Sequence, residues 1–167
     1  MTSDKTVYFW KPNEQNGIYS QWYRSPITAK YRGKNVVFPT AEHFMMYHKA
    51  KLFGDTEIMQ AVLDTKDPSK VRSLGRKVKN FDDEKWEKNR IKIVYNGNYL
   101  KFTQNQDLYN ILMNEKASLF VEASPSDRIW GIGYKAENAE KNIDKWGTNL
   151  LGKVIGKVRE MLRKELE

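Results

Sequence analysis

Residues 38–54 read FPTAEHFMMYHKAKLFG, and this stretch decides what the rest of the chain can be. Thr40 follows Pro39 and offers a hydroxyl to the first free amides of a helix, while Gly54 supplies the left-handed residue that ends one. At 100° per residue, Ala41, Phe44, Met45, His48 and Leu52 form one stripe, the expected core face. Glu42, Met46, Lys49 and Phe53 form the neighbouring stripe, with Glu42 and Lys49 about 10.5 Å apart along the axis. That is too long for an intrahelical ion pair and suits two side chains converging on a small group between them. Both histidines of the chain, His43 and His48, fall here. They read as hydrogen-bonded packing residues rather than ligands.

Outward from this helix, the amino-terminal side is strand-like. Val7–Trp10 is one expected strand, and 27–38 is a hairpin turning at Arg32-Gly33-Lys34. On the other side, Asp55 or Thr56 opens a helix through IMQAVL. Asp67-Pro68 opens a short one that Gly75 closes. Asp82 caps a longer helix through Trp86, Ile91, Ile93 and Val94 to about Phe102. Asn105 or Asp107 opens another, with Leu108, Ile111 and Leu112 as its buried stripe. Leu119–Val121 reads as a short strand, and 124–146 as turn-rich. Thr148 caps a last helix whose Leu151, Val154, Ile155, Val158 and Leu162 recur at helical spacing. The fold class expected is α+β, predominantly helical, with a small amino-terminal β element.

The 167 residues carry a net charge of +8 with no cysteine. One domain over 1–167, with its core at about 7–162, is expected from that length, and no repeat or linker interrupts it. Without cysteine there is no disulfide, thiolate nucleophile or Cys-built zinc site, and two histidines make a transition-metal centre unexpected, while the carboxylates leave Mg²⁺ open. No metal and no cofactor is therefore assigned. No apolar run reaches the roughly 20 residues of a membrane span, and the start of the chain lacks a signal peptide's apolar region. The reading is intracellular, cytoplasmic or, in a eukaryote, nuclear, with no membrane and no obligate protein partner. The charge points to nucleic acid or a phosphate-bearing ligand, or simply to solubility.

For Glu42 and Lys49 two readings stand at this point. In one, apolar neighbours desolvate the lysine, lower its pKa and free a neutral amine as nucleophile, while the carboxyl shuttles a proton. In the other, Glu42 bonds amide N–H groups at the helix start and Lys49 extends to solvent.

The pattern extends beyond this helix. FPTAEHFMMYHKAKLF, the earlier VYFW and GIYSQWY, the central Gly75, Arg76 and Trp86, and the late DRIWGIG and WGTNLLG together resemble the NADAR (NAD- and ADP-ribose-associated) or YbiA-like family over about Val7 to Leu162. The most specific element is the Glu-His-aromatic helix with its lysine. The resemblance implies a compact, mainly helical domain that hydrolyses N-glycosidic bonds. Two substrate classes go with it: ADP-ribose on guanine bases of nucleic acid, and phosphoribosylamino-pyrimidine intermediates of riboflavin synthesis.

By motif position it implies catalytic roles for Glu42 and Lys49, with Trp86, Asp127, Trp130 and Asn149 as pocket residues. Lys49 would attack the anomeric carbon and pass through a Schiff base, and Glu42 would transfer the proton. Trp130 or Trp86 would stack on a base, and Tyr8, Ser20 and Trp22 would line the ribose side. Gly131 would let backbone approach a phosphate, and Arg76 would pair with a phosphate or with a nearby carboxylate. Gln21 and Ile132 depart from the family's usual residues. The partner expected is ADP-ribosylated guanine in DNA or RNA, or an ADP-ribose-like small molecule. The competing readings are the riboflavin-precursor enzyme and a non-catalytic module that binds ADP-ribose or nucleic acid.

Overall fold

Thr40 starts the central helix as its sequence demands: its Oγ1 accepts from the His43 amide at 3.2 Å, and the helix α1 runs Ala41–Leu52. The computed structural model describes residues 5–167. Residues 1–4, where the segment read for a leader begins, lie outside them. The backbone resolves into two compact units, one of Met1–Tyr23 with Asp107–Glu167 and one of Arg24–Gln106.

The unit of Arg24–Gln106 opens with an antiparallel hairpin, β2 (Ile27–Tyr31) and β3 (Lys34–Phe38), in register Ile27 with Phe38 and Tyr31 with Lys34. Its two turn residues, Arg32 and Gly33, both have positive φ, 49° and 82°. This is the left-handed pair that matches the twist of a two-residue hairpin, and Gly33 takes it without steric cost. After α1 come α2 (Thr56–Leu63), α3 (Pro68–Gly75) and α4 (Asp83–Gln104). Asp55 caps α2 by accepting from Ile58 N at 3.1 Å. Its other oxygen accepts from Lys79 N at 2.9 Å, and these amide bonds hold the carboxyl below the usual carboxylate range. Asp67 caps α3, with Pro68 at its first position.

α1 packs against α2, α3, α4 and β3, which corrects the single core stripe expected of it. Ala41 to Tyr47 and Ala50 are all buried, so the helix has almost no wet face. α4 approaches so closely that a Cβ on Gly97 would stand 2.7 Å from the Phe44 ring. The Gln104 carboxamide ends α4 by bonding both backbone groups of Thr28, at 2.7 and 2.9 Å.

In the other unit, β1 (Thr6–Phe9) and β4 (Leu119–Glu122) pair in parallel, Thr6 opposite Leu119. The helices are α5 (Gln106–Asn114), α6 (Ala136–Ala139) and α7 (Leu150–Glu165). α7 lies on β4 and buries Leu151, Val154, Ile155, Val158 and Leu162, as its spacing predicts. Two expectations are corrected. On α5, Leu108 and Leu112 are buried but Ile111 is 46% exposed. The residue at the start of α7 is Asn149 and not Thr148: Asn149 adopts a left-handed backbone, φ 53°, and its side chain is spent on β4. Its Oδ1 accepts from Glu122 N at 3.0 Å and its Nδ2 donates to Phe120 O at 2.9 Å. The architecture is α+β and predominantly helical.

His48 gives this fold a pH dependence. Its Nε2 shares a hydrogen bond of 2.6 Å with the Tyr31 hydroxyl, the centroid of the Phe44 ring lies 4.3 Å from that of the imidazole, and burial lowers its pKa to about 4, with Lys51 adding repulsion. A base whose folded pKa is lowered binds its proton more readily in the unfolded chain. Stability therefore falls as pH drops from about 6.5 toward about 4, where the loss levels off. The shift corresponds to about 3 kcal/mol. Denaturant titrations across that range should show the loss, and His48→Gln, which keeps a hydrogen-bonding group for Tyr31 without a titrating one, should flatten it.

Candidate active site

Within the unit of Arg24–Gln106, the predicted residues Glu42, Lys49, Arg76 and Trp86 come together. The first turn of α1 places Glu42, which is 6% exposed. Two turns on, Lys49 projects between two rings, its Nζ 4.7 Å from the Phe81 centroid and 5.4 Å from that of Trp86. Trp86 reaches there from the first turn of α4 and is 8% exposed. α3 and α1 meet where Gly75 faces Met46; a Cβ there would collide with the thioether. This close approach brings the end of α3 against the Glu42 stripe, with exposed Arg76 as the next residue.

The charges on Lys49 oppose one another. Burial is the largest influence and lowers its pKa; Glu42 raises it, Arg76 lowers it and Asp83 raises it again, and the balance stays below the ordinary lysine value. The two rings favour the ammonium form from their faces, so they act with Glu42 against desolvation. The result is an amine easier to deprotonate than a surface lysine, beside a buried carboxyl. That pair can supply a nucleophile and a proton carrier to one carbon centre.

Phe81 and Asp83 were missed by sequence reasoning. Phe81 lies just before α4 and Asp83 is the first residue of that helix; Phe81 is 42% exposed, its ring tilted against that of Phe53 with centroids 5.3 Å apart. The signal available was a ring and a carboxylate flanking the Asp82 cap, which reads as an ordinary helix start.

The histidines of α1 take no part in this cluster. His43 is fully enclosed, its Nδ1 2.8 Å from Thr40 Oγ1 and its Nε2 2.8 Å from Thr65 O. Nε2–H donates to the carbonyl and Nδ1 accepts the hydroxyl proton, which fixes one neutral tautomer, and burial lowers its pKa further. Among the described residues no group of three or more His, Asp or Glu is disposed to hold a metal ion.

The remaining predicted residues lie in the other unit. Asp127 shapes a loop: its Oδ1 accepts from the amides of Ile129 and Trp130, both at 2.9 Å. Trp130 is half-buried there. Gly131 O accepts from Asn149 N at 3.1 Å, and Ile132 N donates to Glu122 O at 3.0 Å. Asp127, Trp130, Gly131 and Asn149 thus belong to one hydrogen-bonded assembly around β4. Tyr8 packs on Val121, Ile132 and Ala139, and burial and Glu140 raise its phenol pKa. With Trp10, Asn16, Glu115 and Glu137 it lines a cavity of about 500 Å³. Ser20 is buried and accepts from Trp22 N at 3.1 Å, closing the turn that carries both.

A family model described as the NADAR domain matches residues 8–163. An N-glycosidase of Acanthamoeba polyphaga mimivirus is 42% identical over 167 residues, covering 96% of this chain and 98% of that one. Protein irg-1 of Caenorhabditis elegans is 34% identical, with coverage of 97% and 83%. The NMR structure of the E. coli protein YbiA aligns with a TM-score of 0.76 over 99% of this chain and 89% of that one, at 24% identity, and so shares the fold. The sequence match runs through both units, and the chain belongs to the NADAR family.

Proposed function

We propose that the protein hydrolyses the N-glycosyl bond between ADP-ribose and a guanine base in DNA or RNA, with Lys49 as nucleophile and residues 1–167 as one catalytic domain. The coarser statement, a hydrolase of N-glycosyl bonds, follows from membership in a family whose relatives are named N-glycosidases. The observation that carries the mechanism is the Lys49 amine held between Phe81 and Trp86 with its pKa lowered, in a site that also holds buried Glu42. A module that only binds ADP-ribose has no use for such a pair. The guanine-linked substrate is supported by the resemblance and by the net charge of +8, which an enzyme for a small riboflavin precursor would not need.

The chemistry balances without any other reactant than water. The neutral Lys49 amine forms a bond to the anomeric carbon as the carbon–nitrogen bond to the base breaks, and the departing base takes its proton from the Glu42 carboxyl, leaving a carboxylate. The lysine nitrogen then loses its proton to Glu42, which returns it to the ring oxygen as the sugar opens to an iminium. Water adds to that carbon and Lys49 departs, leaving ADP-ribose and a regenerated amine. Arg76 is assigned to a substrate phosphate and Trp86 to closing the apolar wall. By family resemblance, binding roles go to Tyr8, Ser20, Trp22, Asp127, Trp130, Gly131 and Asn149.

Incubation with an ADP-ribosylated guanine oligonucleotide, an ADP-ribosylated protein and the phosphoribosylamino-pyrimidine intermediate, side by side, tests the substrate. Release from the first is expected, and release from the last alone would put the riboflavin reading in its place. Borohydride added during turnover should trap the sugar on Lys49 and not on Lys51, which lies over the Tyr31 ring at 4.7 Å. Lys49→Arg keeps the charge without a neutral form at working pH and should be inactive. An active Lys49→Arg enzyme would remove covalent catalysis from the reading.

Glu42→Gln should lower turnover by roughly 10²–10⁴-fold with little change in ligand affinity. The same variant has a second, opposite signature. Activity should rise with pH as Lys49 loses its proton below the ordinary lysine value of 10.5. Because Glu42 raises that pKa, removing its charge should move the midpoint of Lys49 acylation to still lower pH, measured by competitive labelling and peptide mapping. A midpoint that rises in Glu42→Gln would show that the carboxylate does not act on Lys49.

A further inference from the structure

A groove of about 570 Å³ runs between α7 and β4, and none of its residues is used by the chemistry above. Its lining holds five cations, Lys153, Lys157, Arg159, Arg163 and Lys164, against two carboxylates, Glu160 and Glu167. Glu160 is already engaged by Lys164 at 3.8 Å. The two arginines are fixed in place. Arg159 lies over the Phe120 ring at 4.6 Å and donates to Glu115 O at 2.8 Å. Arg163 donates to Met113 O and Glu115 O at 3.2 and 3.0 Å, which uses only part of its fork of five donors. Lys153 and Lys157 are four residues apart, one turn and about 6 Å along the same helix face.

The floor is made by what is absent. α7 presses on β4 at Gly152, where a Cβ would run into the Phe120 carbonyl, and at Gly156 a Cβ would meet nothing within 4 Å. Backbone without side chain thus opens a channel between the lysine pair and the pinned arginines. The channel offers positive charge along its length and one ring, Phe120, which Arg159 already covers. It can neutralise a row of phosphates and has no face on which to stack bases.

We propose that this groove docks the sugar–phosphate backbone of a nucleic-acid strand, with Lys153 and Lys157 neutralising successive phosphates. The proposal rests on the reading that the substrate is ADP-ribosylated guanine within a polymer. It separates recognition of the polymer, by α7, from recognition of the modified residue. A free ADP-ribosylated nucleoside then gains nothing from the groove.

The test uses the full chain and an unmodified single-stranded oligonucleotide, with affinity measured across a salt series. Each lost phosphate contact flattens the slope of log K against log salt by about 0.7 for single strands, so Lys153→Gln/Lys157→Gln should flatten it by about 1.4. The exposed pair Lys141→Gln/Lys145→Gln is the control and should leave the slope unchanged. On modified substrates the groove variant should lose kcat/KM for the ADP-ribosylated oligonucleotide and keep it for ADP-ribosylated guanosine. An unchanged slope in the groove variant, or an equal change in the control, overturns the proposal. So does a groove variant that binds oligonucleotide normally but loses binding to phosphatidylserine vesicles, which would make the face a membrane contact. If the wild-type protein cleaves neither modified substrate, the proposed reaction fails, and the salt slope still judges the groove by itself.

Discussion

A helix enclosed by three others and a hairpin has almost no wet face, and everything distinctive in the unit of Arg24–Gln106 follows from that constraint on α1. Each ionisable side chain it carries must find a partner, give up its charge or reach an edge. His43 finds two partners, Thr40 and Thr65, and stays neutral. His48 bonds the Tyr31 hydroxyl and is held neutral down to about pH 4. Lys51 reaches the edge and rests on the Tyr31 ring. Lys49 alone is left in between, half-buried, with rings at its ammonium and charges of both signs around it. The same burial that keeps the histidines neutral lowers the pKa of this lysine.

What could be read from the sequence was local, because the interactions that set it are local. Thr40, Asp55 and Asp67 cap the helices that follow them through bonds spanning two or three residues. Arg32-Gly33 turns the hairpin for reasons internal to that pair. The failures are tertiary. Thr148 was the natural cap by residue type, yet the helix begins after Asn149 because Asn149 is bonded to β4, more than two dozen residues away in sequence. On α4, Lys101 is fully enclosed, its pKa pushed down to about 7, while Ile91 is 45% exposed. No periodicity of that helix would have reversed an isoleucine and a lysine; only the packing around each position does so.

The candidate site divides along the same line. Glu42 and Lys49 could be read because they sit on one stripe of one helix, where spacing alone puts them on a common side. Trp86 and Arg76 were recognisable as motif positions but not as neighbours of Lys49, since that depends on how α3 and α4 pack on α1. Phe81 and Asp83 were invisible for want of any pattern. They matter nonetheless: one places a ring 4.7 Å from the ammonium, the other raises its pKa. Residues that tune a group electrostatically leave no periodic trace, whereas residues on the same helix face do.

The opposition between burial and Glu42 at Lys49 is useful to the proposed reaction rather than a compromise against it. A lysine that attacks an anomeric carbon must first be neutral, which favours a low pKa. It must later leave that carbon as an amine, and expulsion is easier when the nitrogen can take up a proton, which favours a higher one. Burial alone would serve the first step and impede the last, and an ion pair alone would do the reverse. In the proposed reaction a buried carboxyl in the same site as a partly desolvated amine would carry that proton between the two steps, so that neither would create a charge in an apolar place. Arg76 and Asp83, which push Lys49 in opposite directions from the outside, then set where the balance falls. A phosphate that engaged Arg76 would weaken its repulsion of the ammonium, so substrate binding would itself adjust the proton affinity of the nucleophile.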